Sequence, residues 1–370
     1  LSETKTTQTR YDLPEKIVRG SAQRPGRLKV IKRAEVGTQK GVNLSTTDQK
    51  KHASKLALLT MLKRPRLNAS PKTSRVPENL AVDMLGNWLR QEESNLGQVI
   101  EGAEARIVYF DSTQPAKTEF VFLNIHGFSA CRQETAPVAE ALADHLRANL
   151  VELRLAGHGL NQDAMTATAE DWLQSVTDGF DLASRLGRKT ILIGTSTGAP
   201  LACWADRVLG PVYGQPLAHL LMSPNFKINT PFDFILTLPL AEYFVPLILG
   251  RTRSWTPEND LAAKFWTSSY DIQAVIEMQK VVDWFRRQPE STWKTPMAMM
   301  VMDNDPTISS KAAKAVFKKW GSSDKQHLPI KEDPSAISHV FAGAIAGPHR
   351  TESTIKSFNA FLTNVIATLT

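Results

Sequence analysis

Cysteine is almost absent from this sequence, which has only Cys131 and Cys203 in 370 residues. Two cysteines this far apart provide neither a disulfide framework nor the clustered spacing of a zinc site. Both are interpreted as small buried hydrophobic residues, and a reducing, cytoplasmic location is expected. No cofactor and no metal ion are expected for the protein.

Long uninterrupted apolar runs are also lacking. The most apolar stretch, residues 232–250, contains Asp233, Glu242 and two prolines. A membrane-spanning helix needs about 20 consecutive apolar residues, so the sequence argues against one here. Hydrophobic residues nevertheless make up 42% of the chain. This content is enough for a sizeable core and excludes disorder throughout.

Acidic residues are scarce in the first 80 positions, which hold 18 Lys and Arg against 6 Asp and Glu. The other positions hold 26 basic and 31 acidic residues, so the net charge of +7 describes neither part. Residues 1–84 are predicted to be a basic extension, because no apolar periodicity persists there. Its charge leaves peripheral contact with an acidic membrane surface open. Nucleic acid is not an expected partner, and the sequence does not determine the oligomeric state.

Predicted strands and helices alternate from about residue 105 onward, and this pattern predicts the fold class. The predicted strands are 105–110, 118–127, 150–159, 189–196, 217–224, 297–303 and 327–332. The predicted helices are 134–150, 169–187, 200–209, 310–321 and 353–369. Repeated βα units predict an α/β protein with a mostly parallel central sheet and helices on both faces. Functional sites in such sheets form at the carboxyl ends of the strands.

A Gly-x-Ser-x-Gly sequence, residues 194–198, joins a predicted strand to a predicted helix. In a sharp turn, a side chain on Gly194 or Gly198 would strike the neighbouring strand or helix. A serine in such a turn, at the amino end of a helix, is typical of a nucleophile elbow. The alternative is a purely structural turn, but the strand-to-helix context favours Ser196 as a catalytic nucleophile.

A serine nucleophile needs donors for an oxyanion. His126 and Gly127 follow an earlier predicted strand, and Gly127 lets the backbone approach closely. The backbone amides of Phe128 and Thr197 are the candidate donors. The alternative for the His-Gly pair is a simple strand-ending turn.

The serine also needs a base and an acid that orients the base. Among 8 histidines, His339 is the preferred base because it lies on a loop beyond the last predicted strand; His349 is the alternative. Asp305 follows a predicted strand and is the preferred acid, and Asp303 is the alternative.

Residues from about 85 to 366 resemble the serine hydrolases of the α/β-hydrolase fold, particularly bacterial esterases related to monoacylglycerol lipases. The stretches that carry the resemblance are HGFSACRQETAP, RLAGHG, TAEDWL, GTSTGAPLA, SPNF, RSWTPEND, DNDPTIS and EDPSAISHVFAG. The order serine, aspartate, histidine along the chain is the order expected of this fold. The resemblance implies these roles: nucleophile Ser196, acid Asp305, base His339, and oxyanion donors Phe128 and Thr197.

An insertion at approximately 226–294 interrupts the predicted hydrolase domain, residues 85–370. It is predicted to form a helical cap over the active site. Four of its aromatic residues are candidates for an acyl pocket, with the core of the cap as the alternative for each: Trp255, Phe265, Trp266 and Tyr270.

The expected function is hydrolysis of small-molecule carboxylic esters through an acyl-enzyme, with short-to-medium apolar acyl chains favoured. Thioesterase, acyltransferase and carbon–carbon hydrolase activities share the same triad and stay open. The serine argues against haloalkane dehalogenase and epoxide hydrolase chemistry, because those relatives use an aspartate nucleophile. The alternative from another class is a non-catalytic binding protein on the same fold.

Overall fold

The structure, a computed structural model, describes residues 64–330 and 338–369. Its strands are β1 (Arg106–Val108), β2 (Thr118–Ile125), β3 (Asn149–Glu152), β4 (Gly187–Thr195), β5 (Ala218–Met222), β6 (Thr252–Ser254), β7 (Ser269–Asp271), β8 (Met297–Met300) and β9 (Lys325–His327). Its α-helices are α1 (Val82–Asn95), α2 (Val138–His145), α3 (Ala169–Leu186), α4 (Gly198–Trp204), α5 (Gly210–Tyr213), α6 (Ala241–Leu249), α7 (Asp260–Phe265), α8 (Ile272–Arg286), α9 (Ser310–Lys319) and α10 (Pro348–Ala367).

Seven of these strands form one sheet in the spatial order β1-β3-β2-β4-β5-β8-β9. Every neighbouring pair is parallel except β1 and β3, which are antiparallel. Strands β6 and β7 form a separate two-stranded ribbon. Parallel neighbours need crossover connections, which helices supply here. The predicted α/β architecture, a mostly parallel central sheet with helices on both faces, is confirmed.

Two apolar layers cover the sheet because successive side chains of a strand point to opposite faces. In β2, Val121 and Leu123 are buried on one face and Phe122 on the other. Helices α2 and α10 cover the face of Phe122. Helices α1, α3, α4, α8 and α9 cover the opposite face. Both cysteines are buried, and burial raises the pKa of the Cys131 thiol to about 12.

Two predicted elements differ from those observed at the edge that carries the site. The observed helix α2 is shorter than the predicted helix 134–150 and starts only at Val138. Ala136 precedes Pro137, and helical backbone angles are disfavoured for a residue before proline. A separate 3₁₀ turn covers Arg132–Glu134. The predicted strand 150–159 ends early as β3, and positive φ angles at Gly157 and Gly159 turn the chain into a loop.

The last predicted strand, 327–332, is also displaced. The observed β9 covers Lys325–His327 and pairs with β8. Positions 331 and 332 lie outside the described residues.

The insertion at 226–294 is anchored to the domain rather than detached from it. Its last helix, α8, buries Val281 and Phe285 in the main core. Helix α6 and a 3₁₀ turn at Asp233–Thr237 pack on the start of α8. Arg286 forms an ion pair of 2.7 Å with Asp233. Within the described ranges, no helix is long and apolar enough to cross a membrane.

The predicted boundary at residue 84 lies inside α1, and residues before it pack on the sheet domain. Leu67 and Val76 are buried in the main core. Arg75 forms an ion pair of 2.6 Å with Asp178 of α3. The indole N–H of Trp204 donates to the carbonyl oxygen of Ala69 at 3.0 Å. The domain therefore begins before residue 85 and includes part of the predicted basic extension.

A chain that begins at residue 81 is therefore expected to be less stable than one that begins at residue 64. It loses the buried Leu67 and Val76 side chains, each of which contributes about 1.5–3 kcal/mol, and leaves the Trp204 indole without its acceptor. Urea unfolding followed by fluorescence measures the difference. Coincident unfolding curves for the two chains would show that this segment contributes nothing to stability.

Candidate active site

Ser196 occupies the turn between β4 and α4, at the carboxyl edge of the sheet. Its φ of 51° places a non-glycine residue in the left-handed region, which is strained and needs support from its surroundings. The two flanking glycines make this geometry possible. A Cβ on Gly198 would strike the carbonyl oxygen of Ile125, and one on Gly194 would lie 2.8 Å from the Cα of Ala199.

Three side chains from distant parts of the chain are hydrogen-bonded in series at this turn. The Nε2 atom of His339 lies 2.9 Å from Ser196 Oγ, and its Nδ1 lies 2.8 Å from Asp305 Oδ2. Because a carboxylate only accepts, Nδ1 carries the proton and Nε2 accepts from the serine hydroxyl. The amides of Thr307 and Ile308 donate to Asp305 Oδ1 at 2.8 and 2.9 Å. They hold the carboxylate in the orientation that fixes the imidazole.

The structure does not bring the two alternative residues to Ser196. Asp303 forms an ion pair with Lys314 and is 58% exposed at its side chain. His349 is exposed on the first turn of α10.

The loop after β2 contains Phe128, one of the two predicted oxyanion donors, and is held by His126. The Nδ1–H of His126 donates to the carbonyl oxygen of Gly127 at 2.8 Å, while its Nε2 accepts from the amide of Leu155 at 3.0 Å. Burial lowers the pKa of His126 well below its usual value, so this histidine is neutral. Among the described residues, neither the Phe128 amide nor the Thr197 amide has a protein acceptor.

Asn225 and Glu134 are two further residues of the site that sequence reasoning missed. The amide of Asn225 donates to the carbonyl oxygen of Ser196 at 3.0 Å, and its side chain donates to Thr197 Oγ1 at 3.3 Å. Its SPNF context was a usable signal. Glu134 is 2% exposed and accepts the Gly127 amide at 2.6 Å. Glu134 lies in the stretch HGFSACRQETAP, but the sequence predicts it to be the first residue of a helix rather than part of the site.

A cavity of about 410 Å³ opens onto Ser196 and His339. Most of its lining is apolar, with these residues among those that form it: Phe128, Trp255, Trp266, Tyr270, Val275 and Met278. The ring of Tyr270 packs edge-on against Phe128 at 5.1 Å. Phe265 does not line the cavity and instead packs with Ala103 and Cys131. Three of the four predicted aromatic residues therefore reach the cavity.

Residues 120–340 match the family described as the alpha/beta hydrolase family, which is more than half of the chain. The chain belongs to this family. A search of curated proteins found no match to this alpha/beta hydrolase. Across residues 64–330 and 338–369, no group of three or more His, Cys, Asp or Glu side chains is placed to hold a metal ion.

Solved structures share the fold of this alpha/beta hydrolase at low sequence identity. A metagenome-derived lipolytic enzyme, from work on LipS and LipT, is 17% identical with a TM-score of 0.58, covering 72% of this chain and all of its own. The monoacylglycerol lipase of Paleococcus ferrophilus is 16% identical with a TM-score of 0.52, covering 68% of this chain and 97% of its own. A soluble variant of monoglyceride lipase from Saccharomyces cerevisiae is 14% identical with a TM-score of 0.51, covering 71% and 91%.

A second buried histidine, His158, adjoins Phe128 in the loop after β2, the candidate oxyanion loop. Its ring packs edge-on between Phe128 and Trp172, at 6.1 and 5.4 Å. Its Nδ1–H donates to the carbonyl oxygen of Ala156 at 3.0 Å. Burial lowers the pKa of His158 to about 4.

The stability of this alpha/beta hydrolase is therefore expected to fall with acidification through His158. The unfolded histidine takes up a proton below about pH 6.5, whereas the folded one stays neutral down to about pH 4. Between pH 6.5 and about pH 4, this difference in His158 protonation lowers the unfolding free energy by up to about 3 kcal/mol. The substitution His158→Asn keeps a hydrogen-bond donor in the side chain and should remove this drop in unfolding free energy at low pH.

The measurement is the unfolding free energy in urea from pH 7 to pH 4, for wild type, His158→Asn and the control His145→Asn. His145 is exposed on α2. A wild-type pH dependence retained in full by His158→Asn would contradict the assignment.

Proposed function

We propose that the protein is a serine hydrolase that cleaves carboxylic esters through an acyl-enzyme intermediate. The observation that carries the proposal is the hydrogen-bonded series from Ser196 through His339 to Asp305. It lies at the base of an apolar cavity, next to two backbone amides with no acceptor in the described part of the chain. These are the parts that acyl transfer needs.

In the proposed first step, His339 Nε2 takes the hydroxyl proton as Ser196 Oγ attacks the ester carbonyl carbon. The amides of Phe128 and Thr197 donate to the resulting oxyanion. Collapse breaks the carbon–oxygen bond to the alcohol, which leaves with the proton from His339. Water then attacks the acyl-enzyme with His339 again as base, and the acid is released. Asp305 keeps its hydrogen bond to His339 Nδ1 and orients the imidazole throughout.

The substrate class follows from the cavity and from the relatives of the fold. Its apolar lining favours an apolar acyl group, and each buried methylene contributes about 0.8 kcal/mol. A cavity of about 410 Å³ fits a chain of short to medium length. The triad by itself is also suited to thioesters. The likeness to enzymes described as lipolytic or as monoacylglycerol lipases favours oxygen esters.

Ser196 is expected to be the serine of the cavity that reacts with a fluorophosphonate, because among the described serines lining it only the Ser196 hydroxyl is hydrogen-bonded to an imidazole nitrogen. Peptide mass spectrometry locates the label. Ser196→Ala should unfold like wild type yet lose both labelling and ester turnover by at least about a thousandfold. Ser129→Ala, which alters another serine of the cavity, should still be labelled at Ser196. Undiminished turnover in Ser196→Ala would refute the mechanism.

Trp266 and Phe265 form a matched pair for testing acyl preference, since only Trp266 lines the cavity. Trp266→Ala should enlarge the cavity and move the optimum toward longer p-nitrophenyl esters, with kcat/KM changing by about tenfold at the extremes. Phe265→Ala should keep the wild-type optimum and lose about 3 kcal/mol of stability. The measurement is kcat/KM from acetate to laurate. An equal loss on every ester in Trp266→Ala would place specificity elsewhere.

A further inference from the structure

Glu134 is a buried carboxyl group inside the reaction centre that the proposed mechanism does not use. It ends the 3₁₀ turn Arg132–Glu134 and lines the same cavity as Ser196 and His339. Its Oε2 atom accepts the backbone amide of Gly127 at 2.6 Å, a short distance typical of a charge-assisted bond.

Within residues 64–330 and 338–369, no basic side chain is placed as a counter-charge to Glu134. Among the described residues, no Lys or Arg forms an ion pair with it, and Arg132 of its own turn donates to the carbonyl oxygen of Glu104. Two other titratable groups interact with it: the thiol of Cys131, which is neutral, and the imidazole of His339. Burying a carboxylate without a partner costs free energy. A protonated His339 supplies a positive charge that interacts with the Glu134 carboxylate.

The carboxyl group also lies against the backbone that leads to the oxyanion donor. A Cβ on Gly127 would lie 2.7 Å from Glu134 Oε1 and 3.0 Å from Ser196 Cβ. Gly127 is thus packed between the carboxyl group and the serine. Its amide is bound by Glu134, and its carbonyl oxygen by His126. Gly127, the residue before Phe128, is therefore held at both its amide and its carbonyl group.

We propose that Glu134 is a positioning residue for the acyl-transfer reaction. As a carboxylate it holds Gly127, and with it the Phe128 amide, and its negative charge favours the protonated form of His339 during proton transfer. This inference rests on the proposed function and adds a second acidic group to the triad.

The charge of Glu134 changes near neutral pH, because burial raises its pKa to about 7, while the Gly127 amide and His339 oppose that rise. Above this pH the carboxylate can stabilise an imidazolium. Below it, the neutral acid cannot. The activity is therefore expected to depend on two linked protonations in the acid limb of the pH profile.

Glu134→Gln separates the charge from the hydrogen bond, because the amide oxygen still accepts from Gly127. Its plateau kcat/KM on a soluble p-nitrophenyl ester should fall about tenfold, and its acid limb should move to lower pH by about one unit. The shift is downward because the base loses the charge that favoured its protonated form. Glu134→Ala should lose more, since the Gly127 amide is left without an acceptor.

Glu104→Gln is the control, since Glu104 is a nearby carboxylate outside the cavity, and it should keep the wild-type profile. If Glu134→Gln keeps the wild-type plateau and acid limb in its pH profile of kcat/KM, Glu134 contributes only a structural hydrogen bond and the proposal is overturned. If Glu134→Gln does not fold, Glu134→Asp and Glu134→Asn form a second pair that differs only in charge, with the displaced acid limb expected in Asn alone. Equal profiles for that pair would overturn the proposal as well.

Ser196→Ala keeps the two conclusions apart. Turnover that survives in Ser196→Ala refutes the proposed function itself. An inactive Ser196→Ala together with a wild-type Glu134→Gln profile refutes only the role of Glu134.

Discussion

The left-handed turn at Ser196 is the constraint on which the rest of the site depends. A serine at a φ of 51° persists only where the surrounding structure over-determines it. The carbonyl oxygen of Ile125, in β2, lies where a Cβ on Gly198 would be. The carbonyl oxygen of Met222, in β5, accepts the Ser196 amide at 2.9 Å. The central parallel strands therefore hold the turn from both sides. Without this register the hydroxyl would not meet His339.

Burial around the turn decides which groups carry charge. His126 and His158 are both fully enclosed and neutral, because burial lowers the pKa of each. Asp305 is equally buried, and its carboxyl group accepts two backbone amides and the imidazole N–H. Of the three histidines around the reaction centre, only His339 is positioned between a carboxylate and the serine. In the proposed acyl transfer, the positive charge that develops is therefore placed on the His339 ring.

The cap, residues 226–294, is in direct contact with the candidate oxyanion loop after β2. The amide of Thr267 donates to the carbonyl oxygen of Ser129 at 2.8 Å, and Tyr270 packs on Phe128. The loop that carries the candidate donor is therefore in direct contact with the segment that lines the cavity.

The sequence alone determined what depends on short-range geometry: the alternation of strands and helices, and the sharp turn that two glycines allow around Ser196. The choice between Asp305 and Asp303 needed tertiary structure, since both follow the same strand. His339 is separated from Ser196 by 143 positions, so their contact depends on the packing of the whole sheet. The same holds for Glu134, whose hydrogen bond to Gly127 places it in the cavity of Ser196 and His339. Contacts between side chains that are distant in sequence are set only by the tertiary packing of the core.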